Sequence, residues 1–286
     1  MKYIDVSEWQ GQINWEKVKP EIDGAILRAG YGKDKADVQF ARNVAECNRL
    51  GIPCGAYWFS YAKSAEEAAA EARCLVHAVS PYRMELPLCY DFEYASVTNA
   101  ERQGVKITKE LASSFVRAFC DEVERLGYWA LNYANPDYLS RYFDEGIPKR
   151  YGLWLASWPE TLDLAKPPRS DCVIWQWTSK GSVPGIAGNV DMDMSYQDFR
   201  SIITRTGLNH LLKEYDDGEG GIITEHTQAQ APVDPTSYAM EWAKSEGHIP
   251  LYAEAEMPLT WGDFALMMFR EKGPEDDRPL GGLVAD

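Results

Sequence analysis

Short apolar runs alternate with amphipathic stretches along the first two hundred residues of the chain. Runs of strand character, bounded by Gly, Pro or polar clusters, fall at residues 3–6, 24–28, 53–59, 85–92, 128–133, 152–156, 172–177 and 187–191. Helical periodicity separates the early ones. It covers 36–50, stopped by Gly51, and 64–79, where Ser64 and Glu67 form a capping box. It also covers 108–126, where Leu111, Phe115, Phe119 and Val123 share a face ahead of Gly127. Shorter helices are expected at 15–19 and 135–143, and a closing helix at 196–206. The later connections differ: Pro167-Pro168 interrupts one, and Lys180-Gly181-Ser182-Val183-Pro184-Gly185 makes up the other. Neither can hold a crossover helix. Five strand–helix units followed by three strands predict an α/β fold, a closed eight-stranded barrel short of helices on one side. At about 206 residues it falls near the low end for TIM-like barrels. An open doubly wound sheet competes, but it needs crossover helices throughout.

Beyond residue 206 the texture changes. Residues 207–235 read as linker, with Asp216-Asp217-Gly218-Glu219-Gly220-Gly221 and a Gln/Ala/Pro stretch. Residues 236–286 read as a small, mainly helical domain. One helix is expected at 235–246, with Tyr238 and Trp242 on a face, and a second after Thr260. The net charge of −15 is uneven: residues 1–206 carry 24 Lys and Arg against 28 Asp and Glu, and residues 207–286 carry 5 against 16. A tail this acidic argues against nucleic acid as a partner. No run of 18 apolar residues occurs, so no membrane insertion is expected. The N-terminus enters a strand pattern at once, with no apolar leader core, which predicts synthesis and initial retention in a cytosol. Six cysteines without C-x-x-C spacing read as buried reduced thiols. The four His form no ligand cluster, and neither a metal nor another cofactor is expected.

Candidate chemistry collects at strand ends, where barrel enzymes place it. The apolar run 86–90 ends in Asp91-Phe92-Glu93. Residues i and i+2 of a strand point to one face, about 6.6 Å apart along the chain, so the two carboxylates project together. Two carboxylates in one crevice cannot both ionise cheaply, and one holds a proton near neutral pH. A held proton beside a standing negative charge is what glycosidic cleavage requires. Asp5 ends the first strand and Asp191 the last. Tyr57, Tyr133, Trp154 and Gln176 fall at the ends of strands between them. Each acid alone has a structural explanation, such as capping a loop; four on one rim point to a polar functional site. The content of 10 Trp and 16 Tyr suits a sugar-binding cleft and a packed core equally.

These residues also carry a resemblance. Ile4-Asp5-Val6-Ser7-Glu8-Trp9-Gln10-Gly11, Gly55-Ala56-Tyr57-Trp58-Phe59, Tyr90-Asp91-Phe92-Glu93, Trp154-Leu155-Ala156, Trp175-Gln176-Trp177 and Gly188-Asn189-Val190-Asp191-Met192-Asp193 resemble, in order, the motifs of glycoside hydrolase family 25 lysozymes. The resemblance spans residues 1–206. It implies a (β/α)5(β)3 barrel and hydrolysis of the β-1,4 bond between N-acetylmuramic acid and N-acetylglucosamine in bacterial peptidoglycan. It further implies Glu93 as general acid and Asp91 as stabiliser of positive charge on the reacting sugar or its N-acetyl group. Asp5 and Asp191 would orient the sugar and tune Glu93, while Tyr57, Tyr133, Trp154 and Gln176 would shape its subsite. Whether a protein carboxylate or the substrate's own N-acetyl oxygen attacks stays open at this level.

A wall hydrolase with no leader, reduced thiols and an appended C-terminal unit resembles a phage endolysin, held in the host cytoplasm and then released to the wall. A bacterial autolysin of the same chemistry is the alternative, and a non-catalytic glycan-binding barrel a more distant one. The segment 238–270 resembles a single S-layer-homology-like repeat. It has three readings: binding a wall polymer, forming a homo-oligomer through Trp242, Trp261, Met267 and Met268, or packing on the barrel.

Overall fold

The computed structural model describes residues 1–211, 213–216 and 222–225. All lie in the first of the two units into which the chain divides, Met1–Thr227. In chain order the strands are β1 (Lys2–Val6), β2 (Gly24–Tyr31), the two-residue β3 (Lys35–Ala36), β4 (Cys54–Phe59), β5 (Leu88–Asp91), β6 (Ala130–Ala134), β7 (Leu153–Ala156), β8 (Cys172–Gly181) and β9 (Val190–Ser195). Pairing runs β1, β2, β4, β5, β6, β7, β8, β9 and back to β1, with β3 attached to β2. The β1–β2 and β1–β9 pairs close the ring, which removes the open doubly wound sheet. Seven strands run parallel; β9 is antiparallel to both of its neighbours.

The helices are α1 (Trp15–Val18), α2 (Phe40–Leu50), α3 (Ala65–Val79), α4 (Tyr94–Arg102), α5 (Lys109–Arg125), α6 (Pro136–Arg141), α7 (Gly146–Tyr151) and α8 (Phe199–Thr206). The connections β7–β8 and β8–β9 hold none, as their prolines and glycines predict. Strand alternation sorts side chains into two layers. Tyr3, Ile26, Cys89, Leu131, Trp154 and Ile174 fill the barrel. Leu88, Tyr90 and Phe92 face outward and pack with Phe115, Phe119 and Val123 of α5. Tyr90 and Phe92 stack at 8°. This leaves Asp91 and Glu93, the residues alternating with them, to face inward.

The boundaries depart from expectation where side chains compete with periodicity. α2 begins at Phe40 rather than 36, because Lys35 and Ala36 pair with β2 and Asp37 caps the turn, accepting from Gln39 N at 2.8 Å. Ser64 and Glu67 do cap α3: Ser64 Oγ accepts from Glu67 N at 3.2 Å, and Glu67 Oε2 from Lys63 N at 2.8 Å. α4 and α7 were not expected; each is short and buries only three residues. The last strand begins at Val190 instead of ending at Asp191. Packing also continues past 206. Asn209 donates to the carbonyls of Met84 and Leu86 at 3.0 Å each and accepts from Trp129 N at 2.8 Å. Within the expected linker, β10 (Lys213–Asp216) and β11 (Ile222–Glu225) form an antiparallel hairpin. The helices expected at 235–246 and after Thr260, and the domain at 236–286, lie outside the described residues. Among the described residues no helix is long and apolar enough to cross a membrane. The six cysteines are free thiols, five of them buried.

Candidate active site

The C-terminal ends of the parallel strands define one mouth of the barrel, and the acids gather there. Asp5 comes from β1 and Asp91 from β5. Glu93 stands two residues on, extended at φ −128° and ψ −173°, as the residue preceding α4. Ser96 Oγ accepts from Glu93 N at 3.0 Å, which fixes the turn. The positive end of the α4 dipole lies beside this carboxyl. Asp191 reaches the mouth by a route the sequence had reversed. It stands near the start of β9, and because β9 is antiparallel its beginning lies level with the other strands' ends, Asp191 opposite Asp5.

Tyr57 (β4) and Tyr133 (β6) tie the acids together. Burial raises the pKa of both phenols, and the charges of Asp5, Asp91 and Asp191 raise them further; Tyr133 also feels Glu93. Both rings pack edge-on against Trp154, with centroids 6.1 and 4.9 Å away. Tyr133 Oη donates to Gln176 Oε1 at 3.2 Å, and Gln176 Nε2 donates to Asp5 Oδ2 at 2.9 Å. All eight residues expected at the site therefore converge on one mouth.

Sequence reasoning missed two. Arg28, inward on β2, is buried; its Nε donates to Asp37 Oδ2 at 2.8 Å and its Nη2 to Glu8 Oε1 at 2.6 Å. Its charge works against the rise of the Asp91 and Tyr57 pKa values. The signal was an arginine inside the apolar run 25–29. Asp193, two residues past Asp191, is fully buried, and its Oδ1 accepts from Trp154 Nε1 at 2.7 Å. Period-2 alternation would have found it once β9 was extended beyond Asp191.

Five carboxyls share this space, so protons must be retained. Burial pushes Asp91 well above the carboxylate range, and Glu93, within hydrogen-bonding range, pushes it further. Burial raises Glu93 as well, while the hydrogen bond from Asp91 opposes that rise. The two titrate as one unit that keeps a proton. Asp91 is the deeper member, and among the described residues its buried Oδ1 has no hydrogen-bond partner. Asp191 is pushed up to about 6 by burial.

Comparisons with known proteins bear on the family and the fold. The model of the family described as glycosyl hydrolases family 25 matches residues 4–186. The uncharacterised protein YegX of Escherichia coli O6:H1 is 26% identical over 204 residues, 67% of this chain and 68% of YegX. Lysozyme M1 of Streptomyces globisporus is 26% identical over 196 residues, 66% of this chain and 65% of that protein. The modular autolysin LytC of Streptococcus pneumoniae, solved in complex with a synthetic peptidoglycan ligand, superposes with a TM-score of 0.59 at 32% identity, over 68% of this chain and 46% of LytC. The chain thus matches a little under half of LytC's length. With an eight-stranded closed barrel, acids converging at its mouth and a family match over most of the barrel, the chain belongs to glycosyl hydrolases family 25 and is a glycoside hydrolase of the lysozyme type.

Proposed function

We propose that the chain cleaves the β-1,4 bond between N-acetylmuramic acid and N-acetylglucosamine in peptidoglycan, with the Asp91–Glu93 pair as its proton store. The observation that carries this is the pair itself: two inward, buried carboxyls in hydrogen-bonding range, a juxtaposition that favours retention of a proton. Glu93 is the less buried of the two and delivers the proton to the leaving oxygen. Departure of that proton leaves both carboxyls anionic, and Asp91 faces the sugar as positive charge develops, when a negative neighbour stabilises most.

The closeness of the pair also bears on the nucleophile. Inverting enzymes hold their carboxyls about 6.5–9.5 Å apart to seat a water, and a hydrogen-bonded pair has no such room. Retaining enzymes with a carboxylate nucleophile hold their carboxyls about 5–5.5 Å apart, wider than a hydrogen bond, so the pair suits attack by the substrate's own acetamido oxygen better. The unpartnered Oδ1 of Asp91 suits the acetamido N–H, and hydrolysis of the resulting ring proceeds with retention. Tyr133, Gln176 and Asp5 form a hydrogen-bonded chain that orients the sugar, and Trp154 with Tyr57 forms its floor. Digestion of walls carrying de-N-acetylated muramic acid tests this step: the modified linkage should resist cleavage, and hydrolysis at the normal rate would rule out acetamido attack.

The biological role we favour is that of a phage endolysin, accumulated in the host cytoplasm and then released to the wall. Six free thiols, five of them buried, suit a reducing compartment before release. An autolysin role is the second reading, favoured by the similarity to LytC. Expression in the cytosol of a Gram-positive host separates the two. An endolysin lyses cells only after the membrane is permeabilised, whereas lysis with an intact membrane supports an autolysin exported by its own route.

A further inference from the structure

Three of the five acids, Asp91, Glu93 and Asp5, have a part in the reading above, and Asp193 has none. It is the deepest of them, at 0% exposure. On β9 it lies opposite Tyr3 of β1 and Gln176 of β8. Trp154 Nε1 holds its Oδ1, while the buried Oδ2 accepts from no backbone, amide or ring donor among the described residues. The Asp5 carboxyl from β1 stands within hydrogen-bonding range of it. Asp191 acts on it from the same strand, and the buried Cys89 thiol from β5 feels its charge. The Tyr3 phenol, its register partner on β1, interacts with Ser195, Asp198 and Asp23. Arg28 from β2 acts on Asp91 and Tyr57, and its two ion-pair partners are Glu8 and Asp37.

We propose that Asp193 and Asp5 form a second carboxyl pair beneath the catalytic one, sharing a single proton, and that Asp193 is the positioning residue that holds Asp5 in place through it. Two carboxyl oxygens in hydrogen-bonding range, out of water, are compatible only with a proton between them. Trp154 Nε1 on one member and Gln176 Nε2 on the other stabilise the one negative charge that the pair retains. Burial pushes Asp193 up to about 8, and Asp5 well above the carboxylate range, with Asp193 and Asp191 adding to it. The pair therefore keeps its proton at neutral pH and loses it only on the alkaline side of neutrality. On ionisation Asp5 and Asp193 repel, and Asp5 is released from its place in the chain that runs through Gln176 to Tyr133.

This inference rests on the glycosidase reading only for its kinetic test, so two readouts are used on the full chain. The first is pH-difference infrared spectroscopy of the protein alone. The protonated-carboxyl band should contain a component that titrates on the alkaline side of neutrality and disappears in Asp193→Asn. The second is the pH profile of kcat/KM on soluble peptidoglycan fragments. An asparagine accepts from Trp154 through Oδ1 and donates to Asp5 through Nδ2, so it imitates the protonated pair permanently. Asp193→Asn should keep neutral-pH kcat/KM within about threefold, while the alkaline limb changes from a limiting slope of about −2 to about −1. Asp193→Leu, which offers neither contact, should lose at least about tenfold at every pH. Should Asp193→Asn fail to fold, Asp5→Asn must remove the same infrared component. A band and an alkaline slope that both match wild type in Asp193→Asn would overturn the proposal. Infrared titration as described in a wild-type protein that releases no glycan would support the pair and overturn the glycosidase reading instead.

Discussion

At the scale of single residues, the site works by rationing charge. Five carboxyls face one mouth, and the charge of Arg28 acts directly on Asp91 and Tyr57. Glu93→Gln keeps the shape and its contact with Asp91 but removes the transferable proton. We expect kcat on peptidoglycan to fall about 10²–10⁴-fold, with circular dichroism and melting temperature unchanged; near-normal lysis by the folded variant would take Glu93 out of the role. Asp91→Asn can still hydrogen-bond Glu93 but cannot offset positive charge on the sugar. Its loss should be of order 10²-fold and fall on kcat rather than KM, as steady-state kinetics on a soluble fragment would show. The tripeptide 91–93 was readable in advance because alternation decides which side chains share a face. Arg28 and Asp193 were not, since each owes its place to a partner distant in sequence: Glu8 and Asp37 for one, Trp154 and Asp5 for the other.

At the scale of elements, a second buried acid ties α3 to the catalytic strand. Glu71 of α3 accepts from Tyr61 N at 2.9 Å, Ser60 N donates to the Asp91 carbonyl at 2.7 Å, and Ser60 Oγ lies 2.9 Å from Tyr90 Oη. Burial pushes Glu71 up to about 8 from an ordinary value of 4.5. The folded state therefore binds this proton more tightly than the unfolded one, so its contribution to stability is complete below about pH 4.5 and is lost as pH rises to about 8. Glu71→Gln should remove that slope and stabilise the fold at pH 8 by about 1–3 kcal/mol, measurable by urea unfolding at pH 5 and 8; an unchanged pH dependence would show that Glu71 is ionised throughout. Strand and helix order was readable from periodicity and from the capping box at Ser64 and Glu67. The antiparallel direction of β9 was not, because direction depends on pairing with β1 and β8. Helices α4 and α7 escaped notice because segments of nine and six residues carry too few apolar positions to show a period.

At the scale of the molecule, every acid that the described residues bring to the mouth lies between residues 5 and 193, and Asn209 stitches the chain after α8 to the loops before β5 and β6. Cutting after residue 227 should leave kcat/KM on a soluble glycan fragment within about threefold, as no catalytic group is lost. Asn209→Ala, which deletes three hydrogen bonds, should cost about 2–3 kcal/mol, read as a lower melting temperature with unchanged kcat. The barrel was foreseeable because eight apolar runs at near-regular spacing, three of them without intervening helices, have few other ways to close. Residues 207–211, expected as linker, instead pack on the barrel: Asn209 and His210 bond to groups some 80 to 125 residues away in sequence, and Leu208 and Leu211 pack on the inner cluster. The most direct test is mass spectrometry of Gram-positive walls digested by wild-type protein and by Glu93→Gln. New reducing ends on N-acetylmuramic acid, formed by the wild type and absent with the variant, are the predicted result. Reducing ends on N-acetylglucosamine, or free stem peptides, would contradict it.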